Sequence, residues 1–113
     1  MIETTIREYL ASKTSVPVKL ERTPNMAESC IVVEKTGGSY TEEIFTATVA
    51  IQSYGATFAE AGELNQSVVG WMLAIRDEEQ NIFDVSLNSD YNFTDTATKR
   101  YRYQAVFVVT YHN

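Results

Sequence analysis

The side chains with the most chemical potential in this chain are arginines set among aromatic rings: Lys99-Arg100-Tyr101-Arg102-Tyr103 opens the terminal run KRYRYQAVFVVTYHN, residues 99 to 113. Such interleaving is what a stacking platform for single-stranded nucleic acid uses, rings taking the base faces and cations the phosphates. Charge argues against it. Nine basic residues stand against fifteen acidic ones, a formal net charge of −6, which opposes phosphate over most of the surface. No sequence-specific nucleic-acid binding is expected, and Arg100 and Arg102 read better as partners for acids on neighbouring strands or on another chain.

Other reactive groups are sparse. Glu42-Glu43, Asp77-Glu78-Glu79, Asp90 and Asp95 supply carboxylates, but acid–base chemistry needs such groups convergent in a cleft, and as spaced they read as solvated charge. Gly37-Gly38 lacks the lysine and the following helix of a phosphate-binding loop and reads as a hairpin turn. Cys30 is the only cysteine and His112 the only histidine, so neither a disulfide within the chain nor a zinc cluster can be assembled. Cys30 precedes Ile31-Val32-Val33 and fits a small buried hydrophobe in a strand. The expectation is a non-enzyme with no catalytic residue, no cofactor and no metal.

The elements that would carry these groups follow from periodicity. With 113 residues, 44% hydrophobic and 21% charged, the chain matches one ordinary folded domain spanning residues 1 to 113. No stretch approaches the roughly 20 apolar residues of a membrane helix, and MIETTIREYL has early acids and no apolar centre, unlike a secretory signal. A cytoplasmic setting without membrane contact is expected. Ile2, Ile6, Tyr9 and Leu10 share one face of a helix over residues 2 to 12. Val16, Val18 and Leu20 alternate as a strand, with Pro17 suggesting an edge. CIVVEK is a second strand closed by Thr36-Gly37-Gly38-Ser39.

Residues 42 to 54 form a long strand with Phe45, Ala47, Val49 and Ile51 toward the core and a mildly polar opposite side. Thr57 and Glu60 form a capping box in which Glu60 reaches back to the Thr57 amide. The helix it opens carries Phe58, Ala61, Leu64, Val68, Trp71, Met72 and Ile75 inward and runs to about Glu78, with Gly62 and Gly70 implying close approach of another element. Residues 82 to 93 alternate with Phe83, Val85, Leu87, Tyr91 and Phe93 on one parity and room for a bulge near Asn88 to Asp90. The last strand resumes at Arg100, with Tyr101, Tyr103, Ala105, Phe107, Val109 and Tyr111 toward the helices and Val106 and Val108 away from them, where another subunit could meet them.

The order α-β-β-β-α-β-β predicts an α+β fold: one mixed or antiparallel sheet of about five strands, with two helices on one face and the terminal strand central or nearly so.

Several phrases carry a family resemblance. VPVKLERTP, IVVEKTGG, the strand ending AIQSYG and then SDYNFTDTATKRYRYQAVF resemble the tail terminator (tail completion) proteins of long-tailed bacteriophages and prophages of Gram-positive bacteria, often labelled minor capsid or minor tail proteins. The resemblance covers roughly residues 2 to 111. It implies a structural virion protein of the head-tail junction, assembled in the host cytoplasm. Six copies would cap the finished tail tube as a ring, stop addition of tube protein and offer a surface to the head connector. Its implied partners are further copies of itself, the tail tube protein and the head connector protein, with DNA passing through a lumen that an acidic chain would keep non-adhesive. Matching the family pattern by position nominates the loop Thr36 to Thr41 and the segment Asp90 to Arg102 as contact regions, with Lys35, Tyr91, Asp95, Arg100 and Arg102 as interface residues. Two other readings stay open: a head-completion or connector adaptor, and a small protein-binding module that dimerises through Val106 and Val108.

Overall fold

The computed structural model describes every residue from Met1 to Asn113. Five strands form one mixed sheet in the order β1-β2-β3-β5-β4, comprising Val18–Lys19, Cys30–Thr41, Ile44–Tyr54, Ile82–Asn92 (β4) and Arg102–Tyr111 (β5). Only β1 is parallel to its neighbour; every other pairing is antiparallel. The predicted α+β class and element order hold, and the terminal strand lies between β3 and β4, one place in from the edge.

Helices α1 (Ile2–Ala11) and α2 (Phe58–Leu73) cover one face. From α1 come Ile2, Ile6, Tyr9 and Leu10, as the spacing predicts, and they join Ile31 and Val33 of β2, Ala47, Val49 and Ile51 of β3, Ala105, Phe107 and Val109 of β5, and Val68 and Met72 of α2 in one core. Helix α1 lies over β1 and β2, and α2 over β3, β5 and β4. The Tyr9 hydroxyl donates to the Trp71 carbonyl at 2.6 Å, joining the two helices at the last turn of α2, where that oxygen also accepts the Ala74 amide at 3.1 Å. No helix is long and apolar enough to cross a membrane.

Several expectations are corrected. Gly37-Gly38 is not a turn: β2 continues through it to Thr41, with a bulge between Lys35 and Gly37. Space at Gly38 is tight, since a Cβ there would stand 2.9 Å from the movable Lys35 Cε and 3.1 Å from the Thr46 carbonyl oxygen. The reversal comes at Glu42-Glu43, whose φ angles of 51° and 69° meet the requirement of a two-residue type I′ hairpin that usually takes Asn-Gly. Consequently β3 starts at Ile44, not Glu42. The strand expected over residues 16 to 20 shrinks to Val18–Lys19, at the edge Pro17 suggested.

Helix α2 ends at Leu73 and hands over to a 3₁₀ turn, Ile75–Asp77, short of the expected Glu78. Its N-cap forms as expected on one side, Thr57 Oγ1 accepting from the Glu60 amide at 3.1 Å, but the Glu60 carboxylate takes the Ala56 amide, not that of Thr57. Gly62 does face a close neighbour, the Tyr103 ring, whereas Gly70 faces open space. In β4, register shifts occur between Ile82 and Asp84 and, next to the bulge expected near Asn88 to Asp90, between Leu87 and Ser89. A bulge of this kind swaps the faces of everything beyond it. Val85 and Leu87 therefore sit opposite Val109 and Phe107 on the helix side, while Tyr91 pairs with Gln104 on the outer side.

Glycine positions give a direct test. Gly70→Ala, in an exposed helix interior with nothing to clash, should raise unfolding free energy by about 0.5–1 kcal/mol. Gly55→Ala would push a Cβ to 2.5 Å from the Ala61 nitrogen and should lower stability. Urea melts of the two variants should move in opposite directions.

Candidate interface: an arginine cluster on Tyr54

Pairing of β3 with β5 sets Tyr54 opposite Arg102 at one end of the sheet. Both lie on the outer face, away from the helices, where their parity had left a polar surface. Instead Tyr54 is completely buried there, with Cys30 and Val32 beside it and Met26 of the loop between β1 and β2 packed against them. That loop roofs this end of the outer face.

Three guanidiniums converge on the Tyr54 ring. The ring centroid lies 4.9 Å from Arg100 and 5.9 Å from each of Arg22 and Arg102, within the reach of cation–π attraction. Arg102 also lies 4.3 Å from the Phe93 centroid. Its Nε donates to the Phe93 carbonyl at 2.6 Å and its Nη1 to the Tyr54 hydroxyl at 3.1 Å. Arg100 Nη2 donates to the Ala27 carbonyl at 2.6 Å and, more weakly, to Cys30 Sγ at 3.8 Å. Carbonyls and rings thus hold the arginines in place. The chain's ion pairs are Lys13 with Glu78 and Arg76 with Asp84, so the expected pairing of Arg100 and Arg102 with acids of neighbouring strands does not occur.

Asp95 borders the cluster. Its carboxylate is committed to an Asx turn, Oδ1 accepting from the amides of Ala97 at 3.0 Å and Thr98 at 3.4 Å. Those bonds, the Ala97 amide foremost and Arg102 contributing least, hold its carboxyl below the ordinary carboxylate range. Tyr91 closes the other side: its hydroxyl accepts from Gln104 Nε2, and Gln104 Oε1 accepts from Gln52 Nε2. Tyr91, Asp95, Arg100 and Arg102 are therefore brought together. Lys35 is not; it pairs across β2 and β3 with Val49 and lines a cleft with Met1, Glu3 and Leu20.

Arg22, Tyr54 and Phe93 are the members that sequence reasoning missed. Arg22 was legible only as part of the phrase VPVKLERTP, and Tyr54 as the end of a strand; their meeting depends on strand register and on how the loop folds back. Between Arg22, Thr23, Pro24, Met26, Asp95, Thr98 and Arg100 lies a cleft of about 270 Å³. Its walls bear two cations, Arg22 and Arg100, and the ionised Asp95 carboxylate. In comparison with known proteins, no family model matches the chain and no curated protein matches it.

Two predictions concern this cluster. Arg102→Met keeps much of the stem but strips the charged hydrogen bonds to Phe93 and Tyr54; it should cost about 2 kcal/mol in denaturant unfolding. Burial pushes the Cys30 thiol up, partly offset by Arg100, so the folded state favours the neutral thiol. Stability from this group is present below the unfolded thiol pKa of roughly 8.5 and is lost as pH rises through the higher folded value. Thiol reagents at neutral pH should label Cys30 slowly in native protein and quickly in denaturant.

Proposed function

We propose that this protein is a ring-forming terminator of a long phage tail: it caps the finished tube, ends addition of tube protein and offers the exposed end to the head connector. The resemblance in the phrases from VPVKLERTP to SDYNFTDTATKRYRYQAVF supplies the family. One structural observation supports the kind of work: the chain carries a long, exposed strand edge. Every residue from Glu34 through Ile44 is exposed, and the outer edge of β2 beyond Val32 is unpaired because β1 takes up only Ile31 and Val32.

Such an edge is a row of free amides and carbonyls that natural proteins normally blunt or cover. Helix α1, ten residues long, spans about 15 Å, whereas the twelve-residue β2 runs about 40 Å. Intrachain cover therefore ends midway. An edge of this kind is suited to a neighbouring subunit, and a ring needs two unlike patches per copy that close by rotation. A head-completion or connector adaptor would use the same features from the portal side.

A dimerising binding module draws support from Val106 and Val108, half-buried on the uncovered part of the outer face. The cleft beside the start of α2, however, is lined by Ser29, Glu60, Glu63 and Ser67 as well as Val16 and Leu64, a poor apolar pocket.

Interrupting the gene in its source phage and imaging the particles tests the reading. Overlong tails beside unattached, DNA-filled heads are expected; normal tails joined to heads would refute it. Purified protein offered to isolated tails and isolated heads should bind the tail end, and binding to heads alone would favour the adaptor.

A further inference from the structure

Asp95 is the one carboxylate beside the arginine cluster, and two further acids stand just before the far end of β3. Glu42 and Glu43 form the hairpin tip, both exposed and both in the left-handed region. That backbone favours Asn-Gly, so the fold itself does not ask for glutamates there. Tyr54, on which the arginines converge, ends β3, the strand that begins just after the tip. Eleven residue steps of strand, Glu43 to Tyr54, separate the two by roughly 35 Å. A tip cannot reach its own arginines.

From this complementarity we infer that the Glu42-Glu43 tip of one copy seats in the Arg22/Arg100 cleft of the next, with Arg102 behind it, as a head-to-tail contact. This rests on the ring reading and names its joint. Three guanidiniums gather around one ring with Asp95 as their single nearby carboxylate and none of them in a salt bridge; the excess positive charge is self-repelling, and a carboxylate pair offsets it while gaining charge-assisted, two-pronged hydrogen bonds. Arg22 is exposed and Arg100 half-exposed, so their remaining N–H groups are open to a partner. Asp95 is the one acid lining the cleft, and its Oδ1 is held by the Ala97 and Thr98 amides. Donor and receptor patches differ and lie at opposite ends of a molecule 44 Å long, which is the geometry of a heterologous contact.

Sedimentation of the full chain over a range of concentrations and salt tests this. The wild type should associate beyond a dimer at low salt and weaken as salt screens the contact. Glu42→Asn with Glu43→Gly supplies the turn residues the backbone prefers, so it should unfold no more easily than wild type while weakening association at least tenfold. Arg22→Glu with Arg100→Glu should do the same to association, and Arg22→Glu alone guards against a folding defect at Arg100. The decisive arm is a swap: Glu42→Arg/Glu43→Arg mixed with Arg22→Glu/Arg100→Glu should restore association that neither shows alone.

Association indifferent to all these changes would overturn the contact. So would a wild-type chain that stays monomeric at every concentration and forms no disulfide between Glu43→Cys and Thr98→Cys copies. Binding of inorganic phosphate or a single-stranded oligonucleotide that is lost with the arginine changes, without a response to the tip, would assign the cleft to phosphates instead. Overlong tails after gene interruption together with a silent swap would leave the terminator reading standing and remove this joint alone.

Discussion

The antiparallel register of β3 on β5 is the constraint from which the rest of the structure follows. It sets Phe45 opposite Tyr111 at one end and Tyr54 opposite Arg102 at the other. Because strand side chains alternate, a slip of one residue would turn Val49, Ile51, Phe107 and Val109 away from the helices and expose the outer residues' counterparts to the core. Burial of these four side chains, each worth on the order of 1.5–3 kcal/mol, holds the register. With it come Tyr103 beneath Gly62 on the helix face and the arginine cluster on the outer face.

That outer face is unequally finished. At the Tyr54 end the loop between β1 and β2 folds over it, and Gln52, Gln104 and Tyr91 satisfy one another in a short side-chain chain. Toward the hairpin the same face carries Thr46, Thr48, Val106, Val108 and Thr110, all half-buried by their neighbours without a roof. Along β2 the helical layer ends before the strand does. One molecule thus has a covered, cationic end and an uncovered, acidic one.

The cationic end is also unusual for a chain of net charge −6. Its arginines are held by a tyrosine, a phenylalanine and two backbone carbonyls, interactions that orient a guanidinium without neutralising it. Fixed orientation with charge left over is the condition under which a cation recognises something external.

Much of this was legible in the sequence. The spacing of Ile2, Ile6, Tyr9 and Leu10 determined α1 and its buried face, Thr57 with Glu60 determined where α2 begins, and the alternation from Ala105 to Tyr111 determined which side of the last strand meets the helices. Local periodicity and capping chemistry are properties of neighbouring residues, so they can be read without a fold. The hairpin tip could not: Gly37-Gly38 is the stronger turn signal, and only pairing with β3 over the full length of β2 moves the reversal to two glutamates. The bulge near Asn88 was anticipated, but the faces it gives Tyr91 and Phe93 were not, nor was the meeting of Arg22, Tyr54 and Arg100, which are distant in sequence. Such contacts are set by register and by a loop folding back on its sheet, long-range choices made by the whole core, and tertiary structure alone decided them.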